Sequence, residues 1–469
     1  MKKAVAYTAI AKYTTAVLQL VFAAILSRLL TPEQFGTVAV IGVFIVFFQL
    51  FCDMGFGTAV IQDKNLTDKQ TNDIFSWTAY LGVVLMLLFM VASFPIAAVY
   101  EDSILVPLGI ILSTSLFLNA LNMIPNAVML KKKLFKSITI RTITSSIVAS
   151  LLTIILAFKG WGVYALVLQS VFTSLFVFLW NEFSTKLRFT FTPDFSAIKR
   201  IWGYSVYQFL AQLLNYFNRN LDSLLIGKFF SKADLGQYNK SYHLMQMPIS
   251  YIPGVVGPAL HPILSEHQDN PQYIYDSYLR ILKFLSIVGC FISVFLYYTG
   301  EELIILLFGN QWYPAVLPFK ILALSVWFQL LINTVGPIFQ SLGNTKLMFI
   351  SGLITSPMII GFIVLGSMMG SIVTVAVCVT IAYFLNFFLC FFFLVRYGFH
   401  YNLWTFFVSF WHELIFFVVL MAITIIPINI ENLLISFVIK TTILTSVFGV
   451  ILAISGQHKV FIKLLGHKR

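Results

Sequence analysis

SRLLTPEQFG (residues 27–36) and GKFFSKADLG (residues 227–236) lie 200 positions apart and align without a gap. Arg28 falls on Lys228, two apolar residues follow in each, Thr31 falls on Ser231, and both stretches end in glycine, Gly36 and Gly236. Ten residues are a weak repeat on their own, so the segments preceding them carry the argument. Ahead of the second copy, Gln208, Gln212, Asn215, Arg219 and Asp222 advance by four, three, four and three, the spacing of one face of an α-helix. Ahead of the first copy, Thr8, Lys12, Thr15 and Gln19 occupy the positions offset by the same 200. Two polar stripes in register predict a chain made of duplicated halves. GWGVYALVLQS (160–170) and MGSIVTVAVCVT (369–380) form a looser pair, each opening an apolar helix with glycine after a short turn.

The rest of the chain is the setting for that repeat. Of 469 residues, 59% are hydrophobic and only 10% charged, and mean hydropathy is +0.90, which places the chain among polytopic membrane proteins. About fourteen apolar stretches of spanning length are separated by short polar breaks. The fold expected is all-α, with two pseudosymmetric six-helix lobes around a central cavity and two further helices. The boundaries expected are an N-terminal lobe over 1–185, a cytoplasmic linker over 186–200, a C-terminal lobe over 201–397, and two helices with a basic tail over 398–469. An even number of spans between equivalent helices makes the repeat parallel in topology.

Charge sets the orientation. Taken alternately, one set of breaks carries Lys64, Lys69, Lys131, Lys132, Lys133, Lys136, Lys186, Arg188, Lys199, Arg200, Lys346 and Arg396, while the other has little beyond Lys159 and Lys232. The positive-inside rule then puts both termini in the cytoplasm. The net charge of +12 is spread thinly over these membrane-proximal loops, which argues against nucleic acid as a partner. The opening MKKAVAYTAIAKYTTAV resembles a signal peptide, but Lys12 interrupts it and no small-residue cleavage site follows, so it reads as a retained first helix. Cys52, Cys290, Cys378 and Cys390 sit in apolar segments at unrelated spacings and imply neither disulfides nor a metal cluster.

An ionised side chain in mid-membrane costs about 2.5–3.5 kcal/mol on insertion scales, so it faces protein or water. Two readings of the stripe stand side by side: Arg219 and Asp222 neutralise each other and tie helices together, or the stripe lines a hydrated cavity. Gln49 and Asp53 sit four apart in the second span. Asn119, Asn122 and Asn126 share a face beside Pro125 and read as interhelical contacts, while Asn239, Tyr242 and Gln246 share a face of the eighth span. Lys320 and Lys440 are expected to snorkel toward an interface. Lys12, Arg219 and Lys240 against Asp53 and Asp222 leave a slightly cationic chamber, which suits an anionic substrate, since guanidinium binds phosphate bidentately.

Enzyme signatures are missing. The sequence holds no D-x-D pair, no phosphate loop, no G-x-S-x-G elbow and no H-E-x-x-H, and the external breaks are short. His261 and His267 are read as surface residues at a helix end. The expectation is a non-enzyme without a cofactor.

LSRLLTPEQFG (26–36), DMGFGTAVIQ (53–62), GWGVYALVLQ (160–169), NYFNRNLDSLLIGKFF (215–230) and LGQYNKSYHLMQMP (235–248) together resemble the signature stretches of bacterial polysaccharide flippases. The chain is most similar to the Wzx-type exopolysaccharide and O-antigen translocases, on the colanic-acid side, within the MATE-like superfamily. The resemblance covers most of residues 1–400, and departs at ALHPILSE (259–266), where His261 stands in place of an aromatic residue. It implies twelve to fourteen helices in two lobes. It also implies a repeat unit on undecaprenyl pyrophosphate as substrate, moved from the cytoplasmic to the periplasmic leaflet, with a polymerase and glycosyltransferases as pathway partners. On that reading Lys12, Thr15, Gln19, Gln208, Gln212, Asn215, Arg219 and Lys240 line the substrate cavity, and Asp53 and Asp222 are the candidates for coupling to protons or sodium. A cation- or proton-coupled drug antiporter of the same fold is the alternative.

Overall fold

The computed structural model describes the chain apart from residues 1, 54–55, 64, 197–212, 214–215, 253–269, 427, 429 and 456–469. Among the described residues the regular structure is entirely helical. The chain divides into two compact units, Met1–Gly236 and Gln237–Arg469. The first holds α1 (Lys2–Leu29), α2 (Pro32–Asp53), the short α3 (Phe56–Gln62), α4 (Asp68–Val99), α5 (Leu105–Lys131), α6 (Phe135–Phe158), α7 (Val163–Thr185) and α8 (216–229). Then come α9 (Lys232–Tyr251), α10 (Pro271–Tyr298), α11 (Gly300–Phe308), a 3-10 turn (Asn310–Ala315), α12 (Val316–Ala323), α13 (Val326–Ile332) and α14 (Val335–Ser341). The chain continues through α15 (Thr345–Met368), α16 (Ile372–Phe392), a π-turn (Phe393–Gly398), α17 (Leu403–Val408), α18 (Trp411–Ile423) and α19 (Leu433–Ile454).

Ten of the described helices are long and apolar enough to cross a membrane, eleven when the pair Asn310–Ala323 and Val326–Ser341, bent by 50°, is one span. Of the fourteen spans expected, ten or eleven are thus present among the described residues, and α18, with 13 residues, is apolar but shorter. The chain is a multipass membrane protein. Its outer faces are apolar, as lipid requires. On α4, Val83, Val84, Leu87, Leu88, Val91 and Phe94 are exposed, while Ile74, Leu85, Phe89 and Ile96 are buried.

The repeat is visible in local structure. Thr31 and Gln34 form a capping box ahead of α2: the Gln34 N–H donates to Thr31 Oγ1 (3.3 Å) and the Thr31 N–H to Gln34 Oε1 (3.1 Å). Two hundred residues on, Asp234 N–H donates to Ser231 Oγ (3.0 Å) and Ser231 N–H to Asp234 Oδ2 (3.3 Å) ahead of α9. These boxes bring Gly36 and Gly236 together in the first unit. A Cβ on Gly36 would lie 1.7 Å from the Lys232 carbonyl oxygen, and one on Gly236 would lie 2.0 Å from that of Pro32. Only glycine lets the two first turns approach so closely. The looser pair holds as well, since the turns before α7 and α16 pass through Gly160 and Gly370, both at φ +81°.

The helix α8 belongs to the first compact unit although the repeat opens its second copy at residue 201. The cause is a set of named contacts: Tyr216 Oη donates to the Val43 carbonyl (3.0 Å), Tyr100 Oη to that of Leu224 (3.1 Å), and Lys232 Nζ pairs with Asp102 (2.7 Å). In the second unit, the core gathers on Trp327, Phe387, Phe391, Phe406 and Phe410, and Trp327 Nε1 donates to Ser286 Oγ (2.8 Å).

Small residues position the helices of the first unit. A Cβ on Gly82 of α4 would lie 2.8 Å from the Ala120 methyl of α5, and one on Gly109 of α5 would lie 2.5 Å from Ser93 Cβ. Without side-chain bulk at these points α4 and α5 pack nearly backbone to backbone, where van der Waals contact replaces the hydrophobic drive that lipid does not supply. The opposite face of α5 is left to its asparagines.

Candidate functional site

That asparagine face lines a polar cavity inside the first unit. One part, about 470 Å³, is bounded by Gln49, Asn119, Asn122, Asn126, Arg141 and Thr173 among others. A second part, about 560 Å³, is bounded by Thr15, Gln19, Gln49, Ser145, Gln169 and Ser174 among others. Gln49, Asn119, Thr173, Ser174 and Val177 belong to both walls. The lining comes from α1, α2, α3, α5, α6 and α7, and is rich in amides and hydroxyls.

Among the described residues the one cation lining it is Arg141 on α6, which is only 6% exposed. Arg141 Nη2 donates to Asn126 Oδ1 (3.0 Å) and Nη1 to Asn181 Oδ1, while Nε has no acceptor. Among the described residues no carboxylate pairs with it. The amides are held in turn: Asn181 Nδ2 donates to Asn122 Oδ1 (2.9 Å), Asn122 Nδ2 to the Ser174 carbonyl (3.0 Å), and Ser174 Oγ to Asn119 Oδ1 (2.8 Å). Asn119 and Asn122 of α5 thus meet Ser174 and Asn181, seven apart on α7, while Asn126 meets Arg141. Two charge-assisted bonds of about 1.5–3 kcal/mol each offset the insertion cost of about 2.5–3.5 kcal/mol for arginine. The guanidinium lies at the cavity wall, held by neutral partners.

The residues expected from sequence fall in several places. Thr15 and Gln19 line the cavity, and Thr15 Oγ1 is buried without a hydrogen-bond partner. Lys12 lies one helical turn from Thr15 on α1 and is half-buried. Gln208, Gln212 and Asn215, with His261 and His267, lie outside the described residues, and so does the side chain of Asp53, which ends α2. Arg219 is exposed and Asp222 only 3% exposed, and among the described residues no ion pair joins them. Asp222 Oδ1 accepts from the neighbouring Ser223 N–H (2.7 Å).

Lys240 is placed in the second unit with its ammonium over the rings of Phe308 (4.9 Å) and Trp312 (5.2 Å). Its neighbours anchor α9 there: Gln237 Nε2 donates to the Gln311 carbonyl (2.9 Å) and Ser241 Oγ to that of Ala315 (2.7 Å). The expected snorkelling of Lys440 is not what occurs. Lys440 Nζ pairs with Glu302, which is 3% exposed and also accepts from Ser436 Oγ (2.6 Å). A buried carboxylate on α11 offers the ammonium a nearer partner than the membrane surface. Lys320 pairs with Glu301 at 3.8 Å.

A multipass helical protein with a polar, cation-bearing cavity inside its first unit has the build of a membrane transporter. The chain belongs to the polysaccharide biosynthesis protein family, whose model matches residues 25–317. It is 27% identical over 345 residues to the teichuronic acid biosynthesis protein TuaB of Bacillus subtilis, covering 73% of this chain and 71% of that one. It is 21% identical over 369 residues to the lipopolysaccharide biosynthesis protein WzxC of Escherichia coli, covering 77% and 74%. Among solved structures, the lipid II flippase MurJ in an inward closed conformation superposes with a TM-score of 0.74 at 16% identity, covering 94% of this chain and 98% of that one. The Wzx-like resemblance and the MATE-like, all-helical membrane fold read from the sequence are borne out.

Proposed function

We propose that the chain is a flippase that moves oligosaccharide repeat units, carried on a polyprenyl pyrophosphate, from the cytoplasmic to the outer leaflet of a bacterial inner membrane. The observation that carries the reading is the amide- and hydroxyl-rich cavity with a buried, carboxylate-free Arg141, in a member of the polysaccharide biosynthesis family. Sugar hydroxyls exchange hydrogen bonds with amides and hydroxyls at little cost, and an acidic group of the substrate completes the guanidinium's donor set. The polyprenyl tail stays in lipid.

Transport proceeds by alternating access between two repeat-related halves, 1–185 and 201–397, with both termini in the cytoplasm. Lys12, Thr15, Gln19, Gln208, Gln212, Asn215 and Arg219 extend the substrate path beyond Arg141. Lys240, already engaged with two aromatic rings, is the weakest member of that set. Asp222 and Asp53 are assigned to ion coupling. No covalent step is needed, so the protein works without catalysis or cofactor, between the glycosyltransferases that build the repeat unit and the polymerase that consumes it.

The test is complementation in a host lacking its own copy. Arg141→Gln, which keeps hydrogen-bonding capacity and removes the charge, should abolish surface polymer at an unchanged amount of membrane protein, while Arg141→Lys should retain part of it. Full polymer output from Arg141→Gln at equal protein level would overturn the assignment.

A further inference from the structure

After α7, residues 186–196 run along α4 without regular structure up to a turn at Phe195. The Arg188 N–H donates to Asn72 Oδ1 (3.0 Å), the Thr190 N–H to Ser76 Oγ (2.8 Å), and Tyr80 Oη to the Phe191 carbonyl (2.8 Å). Asn72, Ser76 and Tyr80 are four apart, so one row of the helix supplies these partners, climbing about 12 Å along its axis. Phe189 packs edge-on against Tyr80 (5.5 Å), Phe191 against Phe189 (5.2 Å), and Phe195 against Trp77 (5.5 Å). Leu187 turns inward onto the core of Ile74, Phe75 and Val128.

The outward side is aromatic to a degree that water does not favour. Phe191 is 83% exposed and Phe183 81%, with Phe189 and Phe195 about half as much or more. This patch continues directly into the lipid-facing side of α4, where Tyr80, Val83, Val84, Leu87 and Leu88 are exposed. Lys186, Arg188 and Lys69 stand exposed around it, at the end of α4 that follows the basic 62–73 break. At Asp194 the character changes: its carboxylate accepts from the Ser196 N–H (2.9 Å) and Oγ (2.7 Å) in an exposed turn.

We infer that residues 186–196 form an interfacial strap, whose partner is the phospholipid leaflet on the basic side of the protein: Phe183, Phe189 and Phe191 enter the boundary of headgroups and acyl chains, and Lys186, Arg188 and Lys69 contact lipid phosphates. Three features carry it. Irregular backbone is tolerated near hydrocarbon only when protein satisfies its polar groups, and the Asn72, Ser76 and Tyr80 row does so. Aromatic side chains favour the membrane boundary, and flanking lysine and arginine are drawn to anionic headgroups. The exposed rings are continuous with a face that lipid already covers. The stretch between the sequence halves is then held to the membrane and to α4. Only the naming of the leaflet as cytoplasmic rests on the orientation proposed above.

The test is depth measurement by spin labelling of the full chain in phospholipid nanodiscs. The four native cysteines are buried, so Phe191→Cys can be labelled selectively, with Val84→Cys as the lipid reference and Asp194→Cys as the water reference. A label at 191 should resemble the one at 84, with high collision with oxygen and little with a water-soluble nickel chelate, and the label at 194 should show the reverse. Adding Ser76→Ala and Tyr80→Phe should shift the label at 191 toward the aqueous pattern. If 191 is as accessible to nickel as 194, or is occluded from both reagents as inside a protein contact, the strap assignment fails while the flippase reading stands.

Discussion

Replacing Gly36 with alanine should pry open the closest backbone approach in the first unit. The added Cβ would start 1.7 Å from the Lys232 carbonyl oxygen and 2.6 Å from its carbon. Backbone atoms cannot rotate aside, so the first turns of α2 and α9 must part by roughly 1.5 Å to restore ordinary contact. Overpacking of this kind costs about 1–3 kcal/mol, a shift of about fivefold to 150-fold in the equilibrium between the joined and parted arrangements. The Lys232–Asp102 pair lies beside the crossing and reports on it. The assay is disulfide formation between Asp102→Cys and Lys232→Cys under mild oxidant, in membranes, with and without Gly36→Ala. Gly42, whose Cβ would meet nothing within 4 Å, gives the control Gly42→Ala. Gly36→Ala should slow crosslinking severalfold and Gly42→Ala should leave it unchanged. Equal crosslinking in all three would refute the claim that this glycine contact sets the approach.

Lys440→Met should lower the thermal unfolding midpoint of the purified protein, because it leaves the Glu302 carboxylate, 3% exposed, without its counter-charge; breaking such a pair costs about 3–5 kcal/mol. The double variant Lys440→Met with Glu302→Gln should recover most of the loss, and a single variant as stable as the parent would contradict the buried pairing. Tyr216→Phe deletes only the bond to the Val43 carbonyl and should cost about 0.5–1.5 kcal/mol in the same measurement, with polymer export retained. Asp222→Asn should uncouple transport in proteoliposomes from proton and sodium gradients; transport that responds to a gradient as before would remove Asp222 from the coupling role.

The repeat was legible because its marks are local. A close helix crossing needs glycine and a helix start favours a hydroxyl, so Thr31 and Gly36 match Ser231 and Gly236 in sequence, and the structure adds Gln34 and Asp234 as the second halves of two capping boxes. Arg141 was not singled out, for a physical reason. It lies five residues beyond the basic KKKLFK break, where an arginine ordinarily marks the inner edge of a membrane span. What turns it inward is the pair Asn126 and Asn181, 15 and 40 residues away in sequence. The spaced asparagines 119, 122 and 126 were the available signal. Their reading as interhelical contacts holds: Asn119 and Asn122 bond to α7, and Asn126 to α6, where its partner is a cation. The destination of Lys440 was illegible for the same reason, since Glu302 is 138 residues away.

Buried Arg141 and half-buried Lys440 show how one chain separates structure from use. Lys440 has a carboxylate, a hydroxyl sharing that carboxylate, and the ring of Tyr298 at 5.2 Å, so its charge is answered within the fold. Arg141 has two neutral amide oxygens and the Met129 sulfur, which orient a guanidinium and leave its field uncancelled. In low dielectric an uncancelled charge attracts an anion far more strongly than one already paired. A fold selected only for stability would place a carboxylate where Asn126 or Asn181 stands. Asn181→Asp supplies one with almost no change of shape, so it should raise the unfolding midpoint or leave it unchanged while suppressing polymer export. Unimpaired export from Asn181→Asp would mean that the open charge of Arg141 does not serve the substrate.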